Sequence, residues 1–186
     1  MEYGYAADFA RHGFLHGCAR TTGVALRFLI LTFLVFASFL VRIAQADELS
    51  LLVNGKAVHI NAPAGSSLNE KNWGLGVQYD GNAIDKKWVP FVTASGFSDS
   101  NENPSYYAGG GVLRRFQGDT LHFDIGAVGF LMTRKGYKND KPFFGALPAF
   151  SAGTEWVSVN MTYIPKVEPK MVALWFFQLK IKLADF

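Results

Sequence analysis

Cysteine is almost missing from this chain: one residue in 186, Cys18. An intramolecular disulfide framework is thereby excluded. Histidine is nearly as scarce, with four residues in all, and no spacing resembles a metal site. Charged residues make up only 18% of the chain. No apolar run reaches the roughly 20 residues that a spanning helix needs. What the chain has instead is aromatic residues, 15% of the total, and 19 glycines.

The longest apolar run, "FLILTFLVFASFLV" from Phe28 to Val41, lies between Arg27 and Arg42 and is followed by Ala44-Gln45-Ala46. A short apolar core with a small-residue site after it predicts a secretory signal peptide over residues 1–46. Cys18 has no apolar core before it, so it does not suggest a lipoprotein. Removing 46 of 186 residues leaves 140, Asp47 to Phe186, enough for one domain. Basic residues fall from 18 to 14 and acidic ones from 15 to 13, so the net charge drops from +3 to +1. The basicity therefore argues for no nucleic-acid partner. The expected domain has no cysteine and two histidines, His59 and His122.

Its pattern has period two. Trp73, Leu75, Val77 and Tyr79 alternate with Gly74, Gly76, Gln78 and Asp80. Val157, Val159, Met161 and Tyr163 alternate with Ser158, Asn160 and Thr162. Trp175, Phe177, Leu179, Ile181 and Leu183 oppose Gln178, Lys180 and Lys182. Large apolar side chains on one face and small or polar ones on the other suit a lipid-facing wall around a narrow interior.

About eight such segments are predicted, near 51–61, 72–81, 86–97, 105–117, 119–132, 143–152, 154–164 and 172–183. The turns near Gly118 and Gly153-Thr154 are short; those near 62–71, 98–104, 133–142 and 165–171 are longer. Lipid satisfies no backbone hydrogen bonds, so a spanning sheet must close on itself. The predicted fold is all-β: an eight-stranded antiparallel transmembrane β-barrel of the outer-membrane type, over residues 47–186. A self-contained barrel makes a monomer the default.

With a periplasmic start, strands one and three both rise, which brings His59 to the same outer rim as Asp99 and Ser100. His122 begins a later rising strand at the opposite end and is read as structural. A histidine, a carboxylate and a hydroxyl at a lipid-facing rim are the ingredients of acyl chemistry. The same residues also suit a solvated strand end and a polar turn, since Asp, Ser, Asn and Pro all favour turns.

From His59 onward the chain resembles the PagP family, the outer-membrane lipid A palmitoyltransferases. "MTYIP" (161–165), "LPAFSAG" (147–153) and "LNEKNWG" (68–74) carry the likeness. So do the spacing from Asp99-Ser100 to Ala108-Gly109-Gly110-Gly111 and that from His122 to Arg134. The resemblance implies transfer of palmitate from a phospholipid donor to lipid A, without a cofactor, in a barrel whose upper interior holds one saturated chain. It implies His59, Asp99 and Ser100 as the functional residues; we read His59 as the base or proton shuttle, Asp99 as its orienting carboxylate and Ser100 as a polar group at the ester. It also implies Gly111 at the floor of the acyl pocket, and Pro148 and Pro165 beside a lateral opening in the wall.

The chain departs from the family in two places. Asn54 and Asn72 stand where a second pair of prolines would be, and Asp47 to Leu52 is too short for the family's N-terminal helix. Two other readings remain at this stage: a small non-enzymatic structural barrel, and a lipid A deacylase that passes the acyl group to water.

Overall fold

The strands present one face to lipid and one to the interior, and the ladder has no edge. In the computed structural model, which describes residues 46–167 and 171–186, the strands form a closed antiparallel barrel in chain order. They are β1 (Ala46–Ile60), β2 (Gly74–Gly81), β3 (Trp88–Ser98), β4 (Pro104–Gln117), β5 (His122–Arg134), β6 (Phe143–Gly153), β7 (Val157–Ile164) and β8 (Ala173–Asp185). β8 pairs with β1 to complete the ring.

β1 reaches five residues beyond its predicted start, to Ala46, the first described residue. The predicted signal core, residues 28–41, lies outside the described residues. The connections 61–73, 99–103, 135–142 and 165–172 leave at one end, which we call the upper rim. The shorter 118–121 and 154–156 leave at the other end, together with 82–87. The 99–103 connection, expected among the longer ones, is shorter than 82–87; its own side chains tie it into a compact turn.

Leu75 is 63% exposed and Val77 42%, whereas Gln78 and Asp80, on the alternate positions that follow, are buried. The predicted faces of β2 are therefore the observed ones. Toward the lower end the interior holds charge. Lys180 pairs with Glu48 at 2.8 Å and with Asp80, and Arg115 pairs with Asp124 at 3.0 Å. His122 Nε2 lies 3.7 Å from the same Asp124, in the structural setting expected of it. Above this plug sits an apolar cluster of Phe91, Leu113 and Ala149, with Val128 packed against it.

β1 does not keep strict alternation. Ser50, Leu52 and Asn54 are buried, and so is Ala57. The register against β8 runs Asn54↔Gln178 and then Lys56↔Phe177, so Gly55 is an extra residue. Such a bulge absorbs one residue and resets which face the following side chains take. Strict period two would place His59 with Leu51 and Val53, facing lipid. The bulge turns it inward.

Candidate active site

His59 stands on the last turn of pleat of β1, paired in register with Leu174 of β8. Its side chain is 4% exposed. Its Nε2 lies 3.0 Å from Oγ of Ser100, which belongs to the connection after β3. The topology thus brings together the histidine and the serine that the sequence placed at one rim.

Asp99 lies beside them but in a different role. Its Oδ1 accepts the backbone N–H groups of Asn101 (2.8 Å) and Asn103 (3.0 Å), and its Oδ2 accepts Nε of Arg134 (2.7 Å). Both carboxylate oxygens are thereby committed to the turn and to β5. The expected pairing of Asp99 with the histidine gives way to this, because the turn that carries Ser100 closes around the carboxylate. The same turn explains how consecutive residues both face inward: Asp99 and Ser100 follow the strand, where alternation no longer applies.

The carboxylate beside the imidazole is Glu70, whose Oε1 is 3.6 Å from Nδ1 of His59 and accepts the His59 backbone N–H at 3.4 Å. Its carbonyl accepts the N–H of Ala57 at 2.9 Å, fastening the 61–73 connection to β1. Asn69 ties that connection to the turn: its N–H donates to Ser100 O (2.9 Å) and its Nδ2 to Asp99 O (3.0 Å). Sequence reading missed the roles of Glu70 and Arg134. Both stand in segments that carried the resemblance, "LNEKNWG" and the His122–Arg134 spacing, so the signal was present without a partner to attach it to.

Below this rim a cavity runs down the barrel axis. Asp99, Ser100 and Arg134 stand at its mouth, and Phe91, Leu113, Val128 and Ala149 lie at its far end. Its walls include Phe130, Met132, Leu147, Ile164, Leu174 and Phe176. Phe91 lies seven residues below Ser98 on β3. At about 3.3 Å per residue and a tilt of roughly 40°, the cavity is on the order of 17 Å deep. That depth and that lining fit a long saturated chain.

Gly111 faces the interior between Phe91 and Val128 in the register. It does not itself line the cavity, because the Phe91 ring covers it. A Cβ there would stand 3.0 Å from Phe91 Cε1 and against the carbonyl oxygen of Ala127. Glycine at 111 therefore serves the close approach of β4 to β5, and the expected place at the cavity floor is taken by Phe91.

Two seams of the wall are only half laddered. Between β6 and β7 the register stops at Ala149↔Thr162, next to Pro148, and Pro165 follows the end of β7. Between β1 and β2 it stops at Asn54↔Gly74. The Asn54 amide turns inward there, donating to Ser95 Oγ (2.7 Å) and accepting from Gln178 Nε2 (2.5 Å). Asn72 Nδ2 donates to Ser98 O at 2.7 Å. The cavity lining includes Phe150 and Met161, whose positions on β6 and β7 put them on the lipid-facing register. The cavity thus reaches toward the outer face at the β6–β7 seam.

The sequence of this barrel matches a family model. It is that of the antimicrobial peptide resistance and lipid A acylation protein PagP, over residues 42–179. This chain belongs to the PagP family. It is accordingly a lipid A acyltransferase of the outer membrane. Among solved structures, the Yersinia pestis outer membrane protein Ail, in a phospholipid bilayer nanodisc, is similar at 9% identity and a TM-score of 0.40. That match covers 74% of this chain and 99% of Ail, and it carries no functional argument. No curated protein matches the chain in sequence.

Proposed function

We propose that this PagP-family chain transfers a palmitoyl group from an outer-leaflet phospholipid to lipid A, with His59 as the general base. The observation that carries this reading is the 3.0 Å contact between His59 Nε2 and Ser100 Oγ at the mouth of an apolar shaft. The donor's acyl chain lies in the shaft, which leaves its ester at the rim. Entry of the chain is by the β6–β7 seam, where Pro148 cannot donate to a ladder. Burial of each methylene contributes about 0.8 kcal/mol, so chain length is selected by how far the shaft extends.

In the transfer, a lipid A hydroxyl gives its proton to Nε2 as its oxygen bonds to the ester carbonyl carbon. The adduct collapses, the bond to the glycerol oxygen breaks, and His59 returns the proton to that oxygen. Arg134, held by Asp99, supplies positive charge where the carbonyl oxygen becomes an anion. Asp99 acts through Arg134 and through the turn that carries Ser100. The barrel works as a monomer, since one chain closes the wall and builds the whole site.

A second reading rests on a specific observation: Ser100 lines the shaft, and His59 reaches the shaft only through it. Ser100 Oγ would then bond to the ester carbonyl carbon as His59 takes its proton, and the glycerol oxygen would leave with that proton. A lipid A hydroxyl would next give its proton to His59 as it takes the acyl group, and Ser100 Oγ would leave with that proton. Rapid quenching and intact-protein mass spectrometry separate the two routes, since only the second adds an acyl mass to Ser100.

The deciding experiment expresses the chain and its His59→Ala variant in a bacterium without such an activity and weighs the lipid A. We expect a gain of one palmitoyl group that disappears in the variant. Loss of an acyl group would point to a deacylase. No change from a folded barrel would leave the structural reading.

A further inference from the structure

We infer that Glu70 is the positioning carboxylate of His59, fixing the imidazole so that Nε2 is the basic nitrogen. The inference rests on the proposed role of His59 as the base and adds a residue to it. For Nε2 to take a proton it must be bare, and the single proton of the neutral ring then sits on Nδ1. Nδ1 is buried and has no hydrogen-bond partner. A buried N–H without an acceptor loses its hydration with nothing in return, so the tautomer that catalysis needs is disfavoured unless an acceptor is supplied.

Among the described residues, Glu70 is the one supplier. The ion pairs at this site are those of Glu70, from the connection after β1, with His59, and of Asp99, from the connection after β3, with Arg134 of β5. β8 faces the ring with Leu174, which cannot accept. Asp99 has both oxygens occupied, by two backbone N–H groups and by Arg134. Glu70 Oε1 is 3.6 Å from Nδ1, so a few tenths of an ångström complete the bond.

Glu70 is also anchored to stay there. Its carbonyl accepts the Ala57 N–H and its Oε1 accepts the N–H of His59 itself. Main chain and side chain of one residue therefore hold β1 at the position where the ring departs. The order Glu70–His59–Ser100 has the base-and-orienter logic of a catalytic triad, with the carboxylate drawn from the connection after the histidine strand.

The test compares Glu70→Gln and Glu70→Asp with the full chain in detergent micelles, alongside His59→Ala. Transfer is measured from a phospholipid to lipid A, and the His59 ring nitrogens are read by 15N NMR. We expect Glu70→Gln to lower kcat by at least about tenfold with KM within about twofold. The loss should fall well short of the roughly 10⁴-fold seen for a fully buried orienting carboxylate, because Glu70 is 45% exposed. The Nδ1–H tautomer should dominate in the wild type and lose population in Glu70→Gln, and Glu70→Asp should recover part of kcat.

An unchanged kcat and unchanged ring signals in Glu70→Gln, with His59→Ala inactive, would overturn the inference and leave the base reading standing. A rise in KM alone, with unchanged ring signals, would overturn it too, making Glu70 a substrate contact. An active His59→Ala would instead remove the base reading itself.

Discussion

Ser100 Oγ and His59 Nε2 meet at 3.0 Å although 41 residues separate them in the chain. The contact exists because β1 and β3 end at the same rim and a turn, rather than a strand, presents the serine. It stands at the head of an apolar shaft, and it makes the serine the first residue to test.

Ser100→Ala removes the partner of Nε2 without touching the turn's hydrogen bonds, which are made by Asp99 and by backbone. We expect the barrel to stay folded and transfer to fall by roughly 10²-fold or more, as for loss of a group that touches the reacting atoms. Full activity in the lipid A assay would take Ser100 out of the mechanism.

Arg134→Ala leaves the Asp99 carboxylate buried with two backbone donors and no counter-charge. Arg134 is 25% exposed, so the loss is expected at about 1–3 kcal/mol rather than that of a sealed pair. Urea unfolding in micelles reads that shift. Activity should fall further than stability does, because the same arginine faces the shaft mouth. A variant that loses stability but keeps kcat would confine Arg134 to holding the turn.

Gly111→Ala is expected to do two things at once. Its Cβ meets the Ala127 carbonyl and the Phe91 ring, so β5 has to move and the shaft floor has to rise. We expect a lower unfolding midpoint and, in the molecules that fold, a shorter preferred acyl chain. Mass spectra of lipid A supply the second readout. An unchanged acyl profile with a lowered midpoint would leave Gly111 as a strand-packing residue only.

Deletion of Gly55 is expected to be tolerated. Without the extra residue, Asn54, Ala57 and His59 fall on one face of a regular strand, as they do now with the bulge. Transfer should persist within about tenfold, because the deletion leaves His59 an even number of residues after Asn54. Loss of activity in a folded deletion variant would show that the bulge itself shapes the site.

The sequence by itself determined the wall. Period-two segments with aromatic and aliphatic residues on one face can satisfy their backbone in lipid only by closing, so eight of them dictate a barrel. Their ends dictate which connections share a rim. His59, Asp99 and Ser100 could be placed at one end from that logic alone.

Only the tertiary structure decided which way and against what each of them points. The bulge at Gly55 depends on pairing with β8, and strict alternation along β1 would have turned His59 outward. Asp99 was legible as a carboxylate near a histidine, but its turn and Arg134 claim both of its oxygens. Glu70 was legible only as a charge in a loop, until the chain folded that loop back onto β1. The physical reason is common to all three. Alternation is a local property that one strand carries by itself, whereas the partner of a buried polar atom is set by whichever distant segment closes over it.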